Sequence, residues 1–223
     1  MDTTTGQFHG WKLLREPFLA GSHLLGALAA IVGAVLLLSH CGSNVERLVA
    51  AGIYSVTLIL LFLASGLMHG AHCSPKTEAL LVKLDYVSIY LFIAGTYTPV
   101  CLFIVDGQKG IYLLIFQWLM AVTGVVCTMW RGFASKPIQV AMFLGMGWMF
   151  LLVINTIARN LAVNDLLLLI GGGLTYSTGA AIFAFCPGSF LGRRVNSHAV
   201  WHILVLVAST FHHFLIRSIL ISS

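Results

Sequence analysis

Seven apolar stretches of roughly membrane-spanning length, separated by short turns, leave this chain one kind of fold. They run Ser22–Cys41, Leu48–His69, Lys83–Val105, Gly110–Trp130, Pro137–Ala158, Ala162–Phe185 and Ala199–Ser222. A helix needs about 20 apolar residues to cross hydrocarbon, where each backbone polar group must find its partner inside the protein. The chain is 59% hydrophobic and 9% charged with a mean hydropathy of +0.96, whereas soluble domains carry about 25% charged residues. Turn chemistry and charge mark the breaks: Gly42-Ser43-Asn44, Ser74-Pro75-Lys76, Asp106-Gly107, Arg131 to Pro137, Arg159-Asn160 and Cys186-Pro187-Gly188. The sequence therefore predicts an all-α, polytopic seven-transmembrane bundle over 22–222, preceded by a short N-terminal segment at 1–21. Pro99 predicts a kink in the third segment. The first stretch is already of span length and no small-residue cleavage site follows it, so it is expected to remain as a membrane helix.

Lys and Arg distribute unevenly between the two faces. Lys12, Arg15, Lys76, Lys83, Arg131, Lys136, Arg193 and Arg194 fall on the N-terminal side, against Arg47, Lys109, Arg159 and Arg217 on the other. With loops this short, the positive-inside rule predicts a cytoplasmic N-terminus and an external C-terminus, opposite to the seven-helix G-protein-coupled receptors. The expected location is the plasma or inner membrane. A net charge of +5 on basic residues set singly or in pairs is no nucleic-acid signature. Five scattered cysteines without a CxxC pair predict no disulfide framework.

Alternation of the spans gathers ionisable residues at one membrane face. The second segment ends at His69, the third starts near Asp85, the seventh starts with His198 and His202, and the first begins with Glu16 and His23. Ionisable groups in hydrocarbon cost several kcal/mol unless paired, so such a gathering marks a site. His198 and His202 are four apart and share a helix face, the spacing that lets two imidazoles grip one metal. With His69 they make a candidate three-nitrogen zinc site whose fourth position is left to water, the arrangement of a catalytic zinc. Asp85 is placed to accept a proton from that water. Ser65, one turn before His69, is placed to hydrogen-bond a ligand or an oxyanion. Glu16 and His23 are expected to pair across the start of the first helix as support. The competing reading is a structural network of neutral histidines. His212 and His213 lie ten or more residues past His202, about 15 Å along a helix, too far for the same ion. They are expected to satisfy an interior network. His72, His9 and His40 are expected to be solvated or interfacial. The Gly171-Gly172-Gly173 run and the Gly145/Gly147 pair predict close helix packing.

At these residues the chain resembles the hemolysin III family, within the progesterone and adipoQ receptor group that includes the adiponectin receptors. Three blocks carry the resemblance from about Glu16 to Ile216. The first is Glu16 with Ser22-His23 and Gly26, similar to E-x-x-N-x-x-[ST]-H-x-x-G. The second is Leu63-Ala64-Ser65-x-x-x-His69 with Leu84-Asp85-Tyr86, Ile89-Tyr90 and Ile93-Ala94-Gly95-Thr96-Tyr97-Thr98-Pro99. The third is Ser197-His198-Ala199-x-Trp201-His202 followed by His212, and Met146-Gly147-Trp148 adds to it. The resemblance implies seven helices with the N-terminus inside, zinc on His69, His198 and His202, and Asp85 beside the metal-bound water. Leu19, Met68 and Tyr86 stand where the family usually has Asn, Tyr and His; none of these positions is a ligand.

Three functions follow as expectations. The first is zinc-dependent hydrolysis of a lipid amide or ester of ceramide type, the activity implied by related receptors, with a membrane lipid as the only partner indicated. The second is a non-enzymatic sensor or membrane-homeostasis protein with structural zinc. The third is the cytolysin of the family's name, to which a multi-pass chain gives little support.

Overall fold

The computed structural model describes residues 14–105, 107–131, 136–186, 188–190 and 195–222. His9, Lys12, Asp106, Pro187, Arg193 and Arg194, used in the sequence reading, lie outside these residues. The elements in order are α1 (Pro17–His40), α2 (Val45–Gly70), α3 (Pro75–Phe103), α4 (Gly107–Arg131) and α5 (Lys136–Trp148). A 3-10 turn (Met149–Val153) leads to α6 (Ile154–Asn160), α7 (Val163–Phe185) and α8 (Ser197–Ser222). Among the described residues, seven helical segments are long and apolar enough to cross a membrane, the fifth spanning Ile138–Asn160 across the 3-10 turn. The protein is an integral, multi-pass membrane protein. The only strands among the described residues are Ser189–Phe190 and Val195–Asn196, an antiparallel pair where the sequence predicts a plain turn.

Helix α1 shows how the bundle sorts its faces. Leu25, Leu28, Val32 and Val35 are exposed on one side, while Ala20, Ala27, Ala30 and Ala34 are buried on the other. Most of both faces is apolar, and the buried one is rich in small residues that allow close helix approach, with Leu19, His23 and Leu37 buried among them. Helix α1 packs on α2 and α8, α2 on α3, α3 on α4, and α7 on α8, while α8 also touches α2 and α3. This central position of α8 brings its first turns against the end of α2.

Two segment limits differ from the sequence reading. The third helix begins at Pro75 rather than Lys83. Ser74 caps it by accepting the Thr77 N–H, and Pro75 occupies the first turn, where its missing N–H costs nothing. Asp85 therefore lies ten residues into α3, about 15 Å from its start and inside the bundle. The first helix likewise starts at Pro17 rather than Ser22. Helix α3 stays helical through Pro99.

The fifth segment is interrupted. The 3-10 turn frees backbone groups that lipid cannot satisfy, and side chains from neighbouring helices take them up. Tyr97 Oη–H donates to the Gly147 carbonyl at 2.8 Å, and the same oxygen accepts the Phe150 N–H at 2.9 Å. Gln117 Nε2–H donates to the Met146 carbonyl at 2.8 Å; separately, Trp148 Nε1–H donates to Ser177 Oγ at 2.9 Å, a side-chain link from α5 to α7. The glycine expectation holds at Gly172, where a Cβ would stand 2.8 Å from the His212 ring. It fails at Gly145, Gly147 and Gly171, where a Cβ would meet no described atom within 4 Å. The five cysteines are free, with Cys41 and Cys101 buried and Cys73, Cys127 and Cys186 exposed.

Candidate metal centre

The last turn of α2 and the first turns of α8 meet at one end of the bundle. Each of His69, His198 and His202 offers one ligand-type atom, and these atoms lie within 4.8 Å of one another; among the described residues this is the only such group. Ring centroids are 4.9 Å apart for His69–His198, 4.6 Å for His69–His202 and 4.9 Å for His198–His202. His69 and His202 are almost fully buried. The i, i+4 pair on α8 thus presents both rings to the single imidazole of α2.

The hydrogen bonds of these rings are incomplete in a way that suits a cation. His69 Nδ1–H donates to the Glu16 carboxylate at 2.5 Å, which leaves Nε2 as the lone-pair atom. That Nε2, together with His202 Nδ1, is buried without a partner among the described residues. A buried polar atom left unpaired costs about 1–3 kcal/mol, so two within one histidine cluster are expensive unless something binds them. Three convergent imidazoles, one oriented by a carboxylate, match the donor set and the outer support of a zinc site. The residues fit the metal that the sequence reading assigns.

Glu16 and His23 contact the histidine cluster through partners other than each other. Glu16 holds His69. His23 Nε2–H donates to the His202 carbonyl at 3.3 Å, its ring lies 4.1 Å from that of His202, and its Nδ1 has no partner among the described residues. The expected Glu16–His23 pair is therefore replaced by two separate contacts with residues of the histidine cluster, because α1 packs between α2 and α8. Ser65 is also more specifically placed than the sequence suggests: its hydroxyl donates to the Asp85 carboxylate, joining α2 to α3.

Asp85 and Ser65 face a cavity of about 370 Å³ between α2, α3, α5, α7 and α8, whose wall also includes His23, His198 and His202. Most of the remaining lining is apolar or aromatic, with Phe92, Ile93, Phe143 and Val205 among it. His212 lies deeper in the same cavity, hydrogen-bonded to the Leu169 backbone and beside the Tyr176 ring. His213 packs near Tyr54 and Gly33. Both belong to the interior, apart from the three-histidine cluster, as expected. His40 is exposed at the end of α1 and His72 is exposed in the loop after α2.

The family model described as Haemolysin-III related matches residues 11–213. The chain belongs to this family. It is similar to Hemolysin-3 of Bacillus cereus, with 34% identity over 197 residues covering 86% of each chain. It is similar to the Hemolysin-3 homolog of Bacillus subtilis (strain 168), with 31% identity covering 87% of each. At 27% identity it also resembles the monocyte to macrophage differentiation factor of Homo sapiens, over 87% of this chain and 80% of that one. The match of this haemolysin-III-related chain takes in the Glu16 block, the Ser65–His69–Asp85 block and the His198–His202 block together.

Sequence reasoning missed two features. Arg15 pairs with Glu78 and donates to the Met68 carbonyl at 2.8 Å. Tyr97 supports the break in the fifth span. Neither has a spacing signal, since each joins residues at least 50 apart in the chain.

Proposed function

We propose that this protein is a zinc-dependent lipid hydrolase of the membrane, with His69, His198 and His202 as ligands and a lipid amide or ester of ceramide type as substrate. The observation that carries this reading is the shared cavity: the same apolar chamber reaches two histidines of the cluster and the Asp85 carboxylate. A lipid chain suits its apolar wall, and a polar linkage suits its histidine end. Bound zinc supplies Lewis acidity and lowers the pKa of a water towards neutrality. Asp85 accepts the proton of the attacking water at a carboxylate oxygen and passes it to the leaving nitrogen or oxygen of the lipid. Ser65 holds that carboxylate in place through its hydroxyl. Glu16 keeps the His69 proton on Nδ1. The charge asymmetry of the loops supports a cytoplasmic N-terminus, which sets the site at the cytoplasmic face of the plasma membrane.

A second reading has one observation in its favour. The histidines join α2 to α8, and Glu16 ties α1 to the same point, so zinc there would also lock three helices in a non-enzymatic sensor. The two readings divide on turnover. Detergent-purified protein incubated with a short-chain ceramide should release fatty acid, and a chelator should abolish the release. Absence of chelator-sensitive turnover on lipid amides and esters would reject the hydrolase and leave the structural zinc. The cytolysis implied by the relatives' name gains no support from a chain embedded through seven spans.

A further inference from the structure

Residues 15 and 16 form a short strap across the end of α2, immediately before α1. Arg15 N–H donates to the Gly70 carbonyl at 3.1 Å, and Glu16 N–H donates to the His69 carbonyl at 3.0 Å. The Glu16 carboxylate then takes the Nδ1 proton of the His69 ring, so one residue grips this histidine by both backbone and side chain. Glu16 is also the N-cap of α1. A carboxylate at that position ordinarily turns to the free N–H groups of the first turn. Here it makes no capping hydrogen bond and reaches across to α2 instead. Arg15 anchors the strap from the other side, through its ion pair with Glu78 of α3 and its hydrogen bond to the Met68 carbonyl.

We propose that Arg15 and Glu16 are positioning residues for the metal, and that docking of this strap and metal binding are reciprocally coupled. The inference rests on His69 being a ligand. With Glu16 in place, Nδ1 carries the proton, Nε2 carries the lone pair, and the imidazole cannot turn away from the α8 pair. With metal on Nε2, the His69 ring would lose charge and its Nδ1–H would bond Glu16 more strongly, holding the strap down. Linkage requires that whatever the strap adds to metal affinity, the metal adds to strap docking. The N-terminal segment is thereby a handle on the site: pulling it from the end of α2 loosens the metal.

Zinc itself is the probe, with full-length protein in detergent and a competing chelator. Glu16→Ala should weaken zinc affinity by about 10- to 100-fold, the range found when an outer partner of a metal-bound histidine is lost. Glu16→Gln keeps an oxygen that accepts the Nδ1 proton and should recover part of that loss. Arg15→Ala keeps the Glu16 carboxylate but removes its 3.9 Å contact with Arg15 and the anchors to Glu78 and Met68, and should weaken affinity by a smaller factor. In wild type, adding zinc should slow hydrogen exchange at the Arg15 and Glu16 amides, an effect that a merely structural contact would not show. Tight zinc binding by wild type with Glu16→Ala unchanged within twofold would overturn the strap and leave the metal site standing. Unchanged exchange at both amides on adding zinc would do the same. Failure of wild type to bind zinc would reject the metal centre itself, and the coupling with it.

Discussion

Tyr97→Phe removes one oxygen atom and tests how the broken fifth span survives in lipid. The Tyr97 hydroxyl donates to the Gly147 carbonyl at 2.8 Å and accepts the Phe150 N–H at 2.9 Å. Tyr97 and Phe150 are both buried, and both border the cavity described above. Side-chain hydrogen bonds inside membrane proteins average about 0.6 kcal/mol and reach about 1.7. Two of them on one hydroxyl give an expected loss of about 1 to 3 kcal/mol, because removal also strands two backbone groups. The ring remains, so loss of packing adds little. Equilibrium unfolding in mixed micelles measures the difference, with Thr178→Val as a control, since that hydroxyl is exposed and bonds only its own helix. A Tyr97→Phe protein within 0.3 kcal/mol of wild type, a threshold set at about half of one average bond, would refute the claim that Tyr97 sustains the 3-10 turn.

Asp85→Asn separates chemistry from metal binding. It should leave zinc content and stability nearly intact while lowering lipid amidase turnover by about 100-fold or more, as loss of a general base does; loss of zinc would instead make Asp85 a ligand. Reporter fusions at Met1 and after Ser74 should read cytoplasmic, and fusions after Asp106 and at Ser223 external; the reverse pattern would refute the charge-based orientation.

The spans were legible because lipid imposes one rule on all of them: a run of about 20 apolar residues with its backbone satisfied internally. The three histidines were legible for a related reason. An i, i+4 pair fixes a shared face from local geometry, and counting spans is enough to bring His69 to the same end. What the sequence could not give was partner choice. Glu16 was expected to meet His23, seven residues on and nearly in line along α1, yet the packing of α1 between two helices gives each a different histidine. The start of α3 was misplaced because Pro75 to Val82 carries charge at Lys76 and Glu78 and reads as loop, although Ser74 and Pro75 are good helix starters. The break at Met149–Val153 had no local signal. Its sequence is continuously apolar, and the groups that satisfy its backbone, Tyr97 and Gln117, reach in from other helices.

Zinc content per chain tests the central claim most directly. Elemental analysis of protein purified in detergent without chelator should find about one zinc per chain, consistent with a single three-histidine centre. His202→Ala should lose it, together with His69→Ala and His198→Ala, and these proteins should also lose stability because metal binding is coupled to folding. His72→Ala and His213→Ala should retain it. Full zinc occupancy in the His202→Ala protein, or none in wild type, would contradict the account.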